Sequence, residues 1–142
     1  MKEYGPIHDV LLLKNLSTKG FTSGFDWQFE LRERQVIGLK NDGQLAGLIS
    51  FEHSEDYTHV GLIEVAKSFR LKGCGAILLS LVMREAIRRP HDGGYVNLRT
   101  KTNGVQLFYL HMGAMWIAQT MIFTPDVSQK NVDKYLAKGW NL

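Results

Sequence analysis

The residues best able to do chemistry lie in Arg70-Leu71-Lys72-Gly73-Cys74-Gly75-Ala76, between a strand-like and a helix-like stretch. Backbone N–H groups in such a turn converge on a phosphate, and the positive end of the following helix strengthens that site. Gly73 and Gly75 permit close backbone approach and positive φ angles. Arg70 and Lys72 add positive charge. The segment therefore predicts an anion-binding cradle, with one alternative, that the two glycines only relieve crowding where strand meets helix.

Other chemistries fit this segment less well. No Gly-Lys-Ser/Thr follows the loop, as a P-loop requires, and Leu78 stands where a dinucleotide-binding motif has its third glycine. The histidines do not have the spacing of metal ligands, so no metal is expected. Cys74, the single cysteine, adjoins the predicted start of a helix, and it is either a nucleophile or a small packed side chain.

Hydrophobic periodicity predicts the elements that position this loop. Strands are predicted at Val36–Lys40, Gln44–His53, Tyr57–Ala66, Tyr95–Thr100 and Met115–Thr124, and helices at Gly75–Arg89 and Asn103–Met112. Residues 17–26 are predicted to form a loop, while the pattern leaves 7–16, 27–34 and 130–142 undecided.

The order of these elements predicts an α/β fold of the α+β mixed-sheet kind, mostly antiparallel in its first strands, with helices on its faces. The strand–helix–strand unit around Gly75–Arg89 predicts a right-handed crossover between parallel strands. The chain has 142 residues, of which 44% are hydrophobic and 22% charged. This composition predicts one globular domain over residues 1–142.

Two blocks of sequence resemble the GNAT superfamily of N-acetyltransferases. Arg70-Leu71-Lys72-Gly73-Cys74-Gly75 resembles its Gln/Arg-x-x-Gly-x-Gly/Ala signature, and the flanking Ile63-x-Val65 and Ile77-Leu78-Leu79 resemble its strand–loop–helix unit. Leu107 to Ala114 is similar to the family's helix that ends in Tyr, three residues and Gly. The sequence departs from the family pattern at three positions, with Lys67 instead of Pro, Leu71 instead of Gly and Ala114 instead of Phe.

The resemblance implies a GNAT-type fold that takes an acetyl group from acetyl-coenzyme A as cosubstrate. It places the pyrophosphate on the backbone amides of Arg70 to Ala76, with Asn103 also at the coenzyme site. Main-chain groups of Val65 would pair with the pantetheine arm. The N–H of Ile63 or Val65 would stabilise the oxyanion while a deprotonated amine attacks the thioester directly.

The same resemblance makes Tyr109 the general acid that protonates the leaving thiolate. The usual pKa of a phenol, about 10, lies near that of a thiol, about 8.5, so the transfer is feasible. The alternative is that Tyr109 is a core aromatic beside Phe108.

Two side chains are the main candidates for the general base, and Glu52 and His53 on the preceding strand are weaker ones. His59 falls, by strand alternation, on the same face as Gly61, Ile63 and Val65, and an imidazole suits deprotonation near neutral pH. The alternative is a strand histidine at a sheet edge. Glu64 is the second candidate and is predicted to point to the other face, where it is either a base or a paired carboxylate.

The function predicted is an N-acetyltransferase that acts on a primary amine of an unidentified acceptor, either a small molecule or a peptide. The alternative is a non-catalytic coenzyme A-binding sensor of the same fold. The net charge of +3 alone suggests nucleic acid, but the basic residues form no run, so no such partner is expected. One cysteine and the lack of a signal-peptide or membrane-span pattern predict a cytoplasmic protein without membrane contact, and Met115–Thr124 offers an edge for a homodimer.

Overall fold

The computed structural model describes residues 2–90, 93–100 and 105–136. The strands are β1 (Lys2–Pro6), β2 (Gln35–Asn41), β3 (Gln44–His53), β4 (Thr58–Val65), β5 (Val96–Arg99), β6 (Met115–Ile117) and β7 (Thr120–Phe123). The helices are α1 (Trp27–Glu33), α2 (Cys74–Arg88), α3 (Gln106–His111) and α4 (Pro125–Tyr135), with short 3-10 helices at Val10–Leu13, Leu16–Lys19 and Lys67–Phe69.

The strands form one mixed sheet in the order β1-β2-β3-β4-β5-β7-β6. β1 with β2, β2 with β3, β5 with β7 and β6 with β7 pair antiparallel, whereas β4 and β5 pair parallel. The parallel pair flanks α2 in sequence, as the strand–helix–strand unit predicts. The predicted mixed α/β fold, mostly antiparallel, is therefore confirmed.

Helix α2 forms where the apolar residues recur at helical spacing. Leu78, Leu79, Val82 and Met83 are all fully buried, so one face of the helix belongs to the core. Its last turn carries Arg88, where a cation complements the helix dipole. Periodicity thus predicted this helix to within one residue at each end.

Helix α1 occupies part of the segment that periodicity left undecided. The side chain of Asp26 caps it by accepting a hydrogen bond of 2.9 Å from the Phe29 N–H. Trp27 at its start is only 2% exposed and belongs to a core cluster with Phe21, Val36 and Leu48. The burial of this indole fixes the helix against the first strands.

The prediction of one long strand over Met115–Thr124 is wrong. The segment is a hairpin in which β6 and β7 are joined by two residues, with Ile117 opposite Thr120. Ala118 in the turn has a φ of 55°, a conformation usually taken by Gly or Asn. Since neither residue type is present, the sequence carries no turn signal there.

The structure contains one strand that the sequence did not predict and one helix in the tail, which periodicity left undecided. The sequence gives no strand signal for β1, which pairs with β2 from Lys2 opposite Asn41 to Pro6 opposite Ile37. The tail forms α4, which begins with Pro125 in its first turn. The end of the predicted helix near Asn103 lies outside the described residues, as does the rest of the tail after residue 136.

Two compact units divide the described chain. The first comprises residues 2–51 and 61–79, and so holds β1, β2, most of β3, the second half of β4 and the start of α2. The second comprises the described parts of 52–60 and 80–136, with β5 to β7 and helices α3 and α4. The predicted cradle lies wholly in the first unit.

Candidate active site

The loop between β4 and α2 is exposed along its whole turn. Arg70, Leu71, Lys72 and Gly73 are all exposed, and Leu71 and Gly73 have positive φ angles of 63° and 82°. The first bond of the helix runs from the Ile77 N–H to the Gly73 carbonyl, at 3.1 Å. The amides of residues 74–76 therefore have no carbonyl one turn behind them, and they point out of the helix end.

Gly73 is needed for its backbone angle and not for space. A Cβ added there would meet no atom within 4 Å, so the crowding explanation fails at this position. Its positive φ is the conformation that glycine adopts without penalty. The space next to the Gly73 Cα is therefore open.

The side chains of the loop frame this space without filling it. Cys74 is 3% exposed and Ala76 is 7% exposed, so both pack inward. Arg70 donates through Nε to the Val65 carbonyl at 3.4 Å, and the Lys72 ammonium lies 5.9 Å from the centre of the Phe69 ring. The burial of Cys74 favours the small packed side chain over the nucleophile.

Among the described residues, strand β4 pairs with β5 along only the first part of one edge. Its parallel pairing with β5 joins Thr58, His59 and Val60 to residues 96–98. β4 then continues to Val65, whereas β5 ends at Arg99. The second half of β4 therefore extends beyond its parallel pairing, which is the geometry that lets an extended ligand add to a strand edge.

The alternation of β4 is broken by a bulge at Gly61–Leu62. A Cβ on Gly61 would lie 2.6 Å from Oε1 of Glu30, a residue of α1. Leu62 packs against the core cluster that contains Trp27, which also belongs to α1. Two successive residues thus face α1. The prediction that His59 and Gly61 share a face with Ile63 and Val65 is wrong for this reason, since the bulge turns the last two to the opposite face.

The bulge also decides which N–H groups reach the edge beyond the β5 pairing. The Thr58 N–H donates to Tyr95 on the β5 side, at 2.9 Å. The Leu62 N–H instead donates to Ser50 Oγ, at 2.9 Å, and the Ala66 N–H to the Ala46 carbonyl of β3, at 2.8 Å. Because successive N–H groups alternate between edges, those of residues 63 and 65 point away from β3.

A buried polar network holds the bulge. Ser50 Oγ, fully buried, donates to Glu30 Oε1 at 2.5 Å while it accepts from Leu62. Glu30, 4% exposed, also accepts from Arg34 Nη1 at 3.0 and 3.2 Å. A buried carboxylate is stable when it is paired and hydrogen-bonded in this way. These residues were not among the predicted site residues.

Glu64 is 6% exposed and both carboxylate oxygens have partners. Oε1 accepts from the Trp27 indole N–H at 2.8 Å, and Oε2 accepts from the Ser23 N–H at 3.0 Å. The carboxylate lines a cavity of about 230 Å³ together with Phe21, Asp26 and Trp27, among others. The lining of this cavity thus combines two carboxylates, Glu64 and Asp26, with apolar side chains.

His59 is half-buried in the second unit. Its Nδ1 lies 2.7 Å from Asn97 Oδ1. An amide oxygen only accepts, so with this orientation Nδ1 carries the proton and Nε2 has the free lone pair. The structure therefore groups Glu64, Ile63 and Val65 with the cradle in the first unit and His59 with Tyr109 in the second.

Tyr109 lies on α3 and is 6% exposed. Its ring is tilted by 58° against that of Phe108, with centroids 5.3 Å apart. The predicted C-cap glycine, Gly113, has a φ of 96°. Burial raises the pKa of Tyr109 to about 12, because the charged phenolate would lose its hydration.

The described residues contain neither a candidate metal site nor a candidate membrane-spanning helix. Within 2–90, 93–100 and 105–136, no cluster of three or more His, Cys, Asp or Glu side chains is arranged to hold a metal ion. Over the same ranges, no helix combines the length and apolar character that crossing a membrane requires.

The family of the chain follows from its sequence. The model of the acetyltransferase (GNAT) family matches residues 5–114, which is more than half of the 142 residues. The chain therefore belongs to the GNAT acetyltransferase family, and the resemblance carried by the cradle motif is confirmed. Membership of this family supports acetyl transfer in general. No curated protein matches the chain.

Solved structures share its fold. The ribosomal-protein-S18-alanine N-acetyltransferase from Escherichia coli aligns with a TM-score of 0.69 at 15% identity, over 86% of this chain and 91% of that chain. The N-acetyltransferase YlbP of Bacillus subtilis, solved with coenzyme A, gives 0.67 at 12%, over 89% and 98%. Arabidopsis thaliana Naa50, in complex with a bisubstrate analogue, gives 0.63 at 15%, over 85% and 95%.

Proposed function

We propose that the protein is an N-acetyltransferase that transfers acetyl from acetyl-coenzyme A directly to a primary amine, and that residues 1–142 form one catalytic domain. The observation that carries the proposal is the exposed loop 70–73 at the start of α2, next to a strand that pairs with β5 along only part of one edge. Two structural neighbours were solved with coenzyme A or acetyl-coenzyme A.

The residues present fit the coenzyme. The amides of Cys74, Gly75 and Ala76 have no partner within the helix, so their N–H groups can donate hydrogen bonds to a pyrophosphate at the helix end. Gly73 leaves the space next to its Cα open, and Arg70 and Lys72 supply positive charge. Coenzyme A carries phosphates that this arrangement would neutralise.

The edge of β4 beyond its pairing with β5 fits the remainder of the cosubstrate. The N–H groups of Ile63 and Val65 point to that edge, where they can pair with an extended amide arm. Arg70 already donates to the Val65 carbonyl, whose second lone pair can accept another donor. The Ile63 N–H, placed next to the bulge, is the better candidate for stabilising the oxyanion.

Acetyl-coenzyme A supplies an activated thioester. The protein must remove a proton from the acceptor amine, so that the amine is neutral when it attacks. Glu64 fits the role of base better than His59 for two reasons. Its carboxylate lines a cavity, and the residue directly follows Ile63, whose N–H is the candidate for the oxyanion. The carboxylate is also oriented by two N–H donors. The cavity next to Glu64 combines the aromatic side chains of Phe21 and Trp27 with a second carboxylate, Asp26, so it fits an amine attached to an apolar group. Asn103, predicted at the coenzyme site, lies outside the described residues.

Tyr109 retains the role of acid only as a permanently protonated phenol. With a pKa near 12 it keeps its proton at neutral pH. Full transfer to a thiolate, whose usual pKa is about 8.5, is then uphill by several pKa units. We therefore propose that Tyr109 stabilises the leaving thiolate by donating a hydrogen bond, with the proton finally taken from solvent.

The test is release of free thiol from acetyl-coenzyme A with a panel of small amines and peptide N-terminal amines. Glu64→Gln should lower kcat at least about tenfold while leaving coenzyme binding intact, since general-base catalysis contributes that much or more. Glu33→Gln is the matched control, because Glu33 is an exposed carboxylate on α1. Coenzyme binding without thiol release for any amine would instead favour the non-catalytic sensor.

A further inference from the structure

A second cavity, of about 660 Å³, lies in the first unit between the 3-10 helix Leu16–Lys19 and the β2–β3 turn. A volume of this size is typical of small-molecule sites. The residues that determine its chemistry are Ile7, Leu45 and Phe69 with the lysines Lys19, Lys40 and Lys67. None of the residues assigned to the acetyl-transfer site lines it.

The apolar floor of the cavity is held by close packing. Ile7, 6% exposed, donates its N–H to the Val36 carbonyl at 2.8 Å. A Cβ on Gly38 would lie 2.8 Å from Ile7 Cδ1 and 3.3 Å from Leu45 Cδ1, so glycine here lets both side chains settle against β2. The floor is therefore formed before any ligand binds.

One wall is fixed by the backbone at Gly20. The Lys67 N–H donates to the Gly20 carbonyl at 2.9 Å, which ties the end of the 3-10 helix to the residue after Ala66. Gly20 has a φ of 92°, and a Cβ there would meet Lys67 N at 3.0 Å. This contact brings the backbone next to Lys19 close to that of Lys67, and both lysines line the cavity.

The lining is positively charged without a balancing carboxylate. Its twelve residues include the three lysines and no Asp or Glu. Lys40 pairs in register with Leu45, so its stem lies on the face of the apolar floor. Glu3 stands opposite Lys40 on β1 but does not line the cavity. The cavity thus combines an apolar floor with cationic heads at its rim.

From this combination we infer that the cavity binds an amphiphilic anion, with one carboxylate or phosphate head between the lysines and an apolar body on Ile7 and Leu45. The anion would be recognised by charge-assisted hydrogen bonds, which are stronger than neutral ones. The cavity shares no lining residue with the loop 70–76, although Phe69 lines it and also lies 5.9 Å from the Lys72 ammonium.

The test is isothermal titration of the full chain with decanoate and with decyl phosphate, each below its micelle concentration. Both should bind, and affinity should rise as the chain is lengthened from butanoate to decanoate, because each methylene buries apolar surface. Decylammonium, which has the same chain and the opposite charge, should bind at least about tenfold more weakly. Inorganic phosphate should bind weakly, since it lacks an apolar body.

Variants locate the site. Lys40→Met keeps the length of the stem and should weaken decanoate about fivefold, whereas Lys14→Met, an exposed lysine outside the lining, should change nothing. Saturating coenzyme A should leave the affinity for decanoate unchanged. Displacement by coenzyme A, equal binding of decylammonium, no binding, or an equal effect of both variants would each overturn the inference.

Discussion

Tyr109 shows how burial changes the meaning of a residue that the motif had identified. The sequence predicted a phenol and a thiol with similar pKa values. The structure places the ring on the buried side of α3, and this raises its pKa to about 12. Tyr109 can still donate a hydrogen bond, but its pKa no longer lies near that of a thiol.

This pKa makes a prediction for stability at high pH. The unfolded state ionises Tyr109 near its usual pKa of 10.0 and the folded state only near 12, so the stabilisation is complete below pH 10 and is lost as the pH rises to 12. The loss should reach about 2–3 kcal/mol relative to Tyr109→Phe. Urea unfolding of both proteins across this range measures it, and parallel pH curves would contradict the burial of the phenol.

Leu71 is strained where the family often has glycine. It is fully exposed and holds a φ of 63°, which costs an L-residue about 1–2 kcal/mol. Leu71→Gly should therefore stabilise the fold by about 0.5–1 kcal/mol after the entropy of glycine is subtracted. Leu107→Gly, at an exposed position on α3, is the control and should destabilise by about 1 kcal/mol. A loss of stability in both would show that Leu71 is not strained.

Elements with strong periodicity could be predicted, and those that depend on distant partners could not. β2, β3, β4 and α2 all lie within about two residues of their predicted ends, because alternation or helical spacing marks them. β1 has few apolar residues and exists through its pairing with β2. The β6–β7 hairpin turns at Ala118 without a turn residue.

The candidate site divides in the same way. The loop before α2 is a local feature, so its position could be predicted from the sequence, whereas its role as a phosphate cradle stays a prediction. The partners of Glu64 could not be predicted, because Trp27 lies 37 residues away and contacts it only once α1 has packed. The bulge at Gly61–Leu62 depends likewise on Ser50 and Glu30, which no spacing connects to β4.

The network at the bulge gives a prediction for two buried serines. Ser50→Ala removes the acceptor of the Leu62 N–H and a donor to Glu30, and it should destabilise by about 1–3 kcal/mol because buried polar groups lose their partners. Ser80 is equally buried, and its hydroxyl has no hydrogen-bond partner among the described residues. Ser80→Ala should be neutral or slightly stabilising. Urea unfolding compares them, and equal losses would mean that the network does not hold β4.

At the scale of the whole molecule, the fold and membership of the GNAT family both support the proposal that the protein binds coenzyme A. The structure offers an exposed turn, free helix amides and a strand edge that extends beyond its parallel partner. The acceptor would be chosen at the cavity beside Glu64, whose walls combine apolar side chains with two carboxylates. The claim of coenzyme binding can be tested without knowing the acceptor.

The most direct measurement is calorimetric titration of coenzyme A into the wild type, Gly73→Asn and Gly73→Asp. Asn and Asp have the same shape and both tolerate positive φ, and a side chain at Gly73 meets no neighbour within 4 Å. We expect coenzyme A to bind the wild type. It should bind the Asp variant at least about tenfold more weakly than the Asn variant, because a carboxylate would face the pyrophosphate. No binding to the wild type, or equal affinities for the two variants, would contradict the proposal.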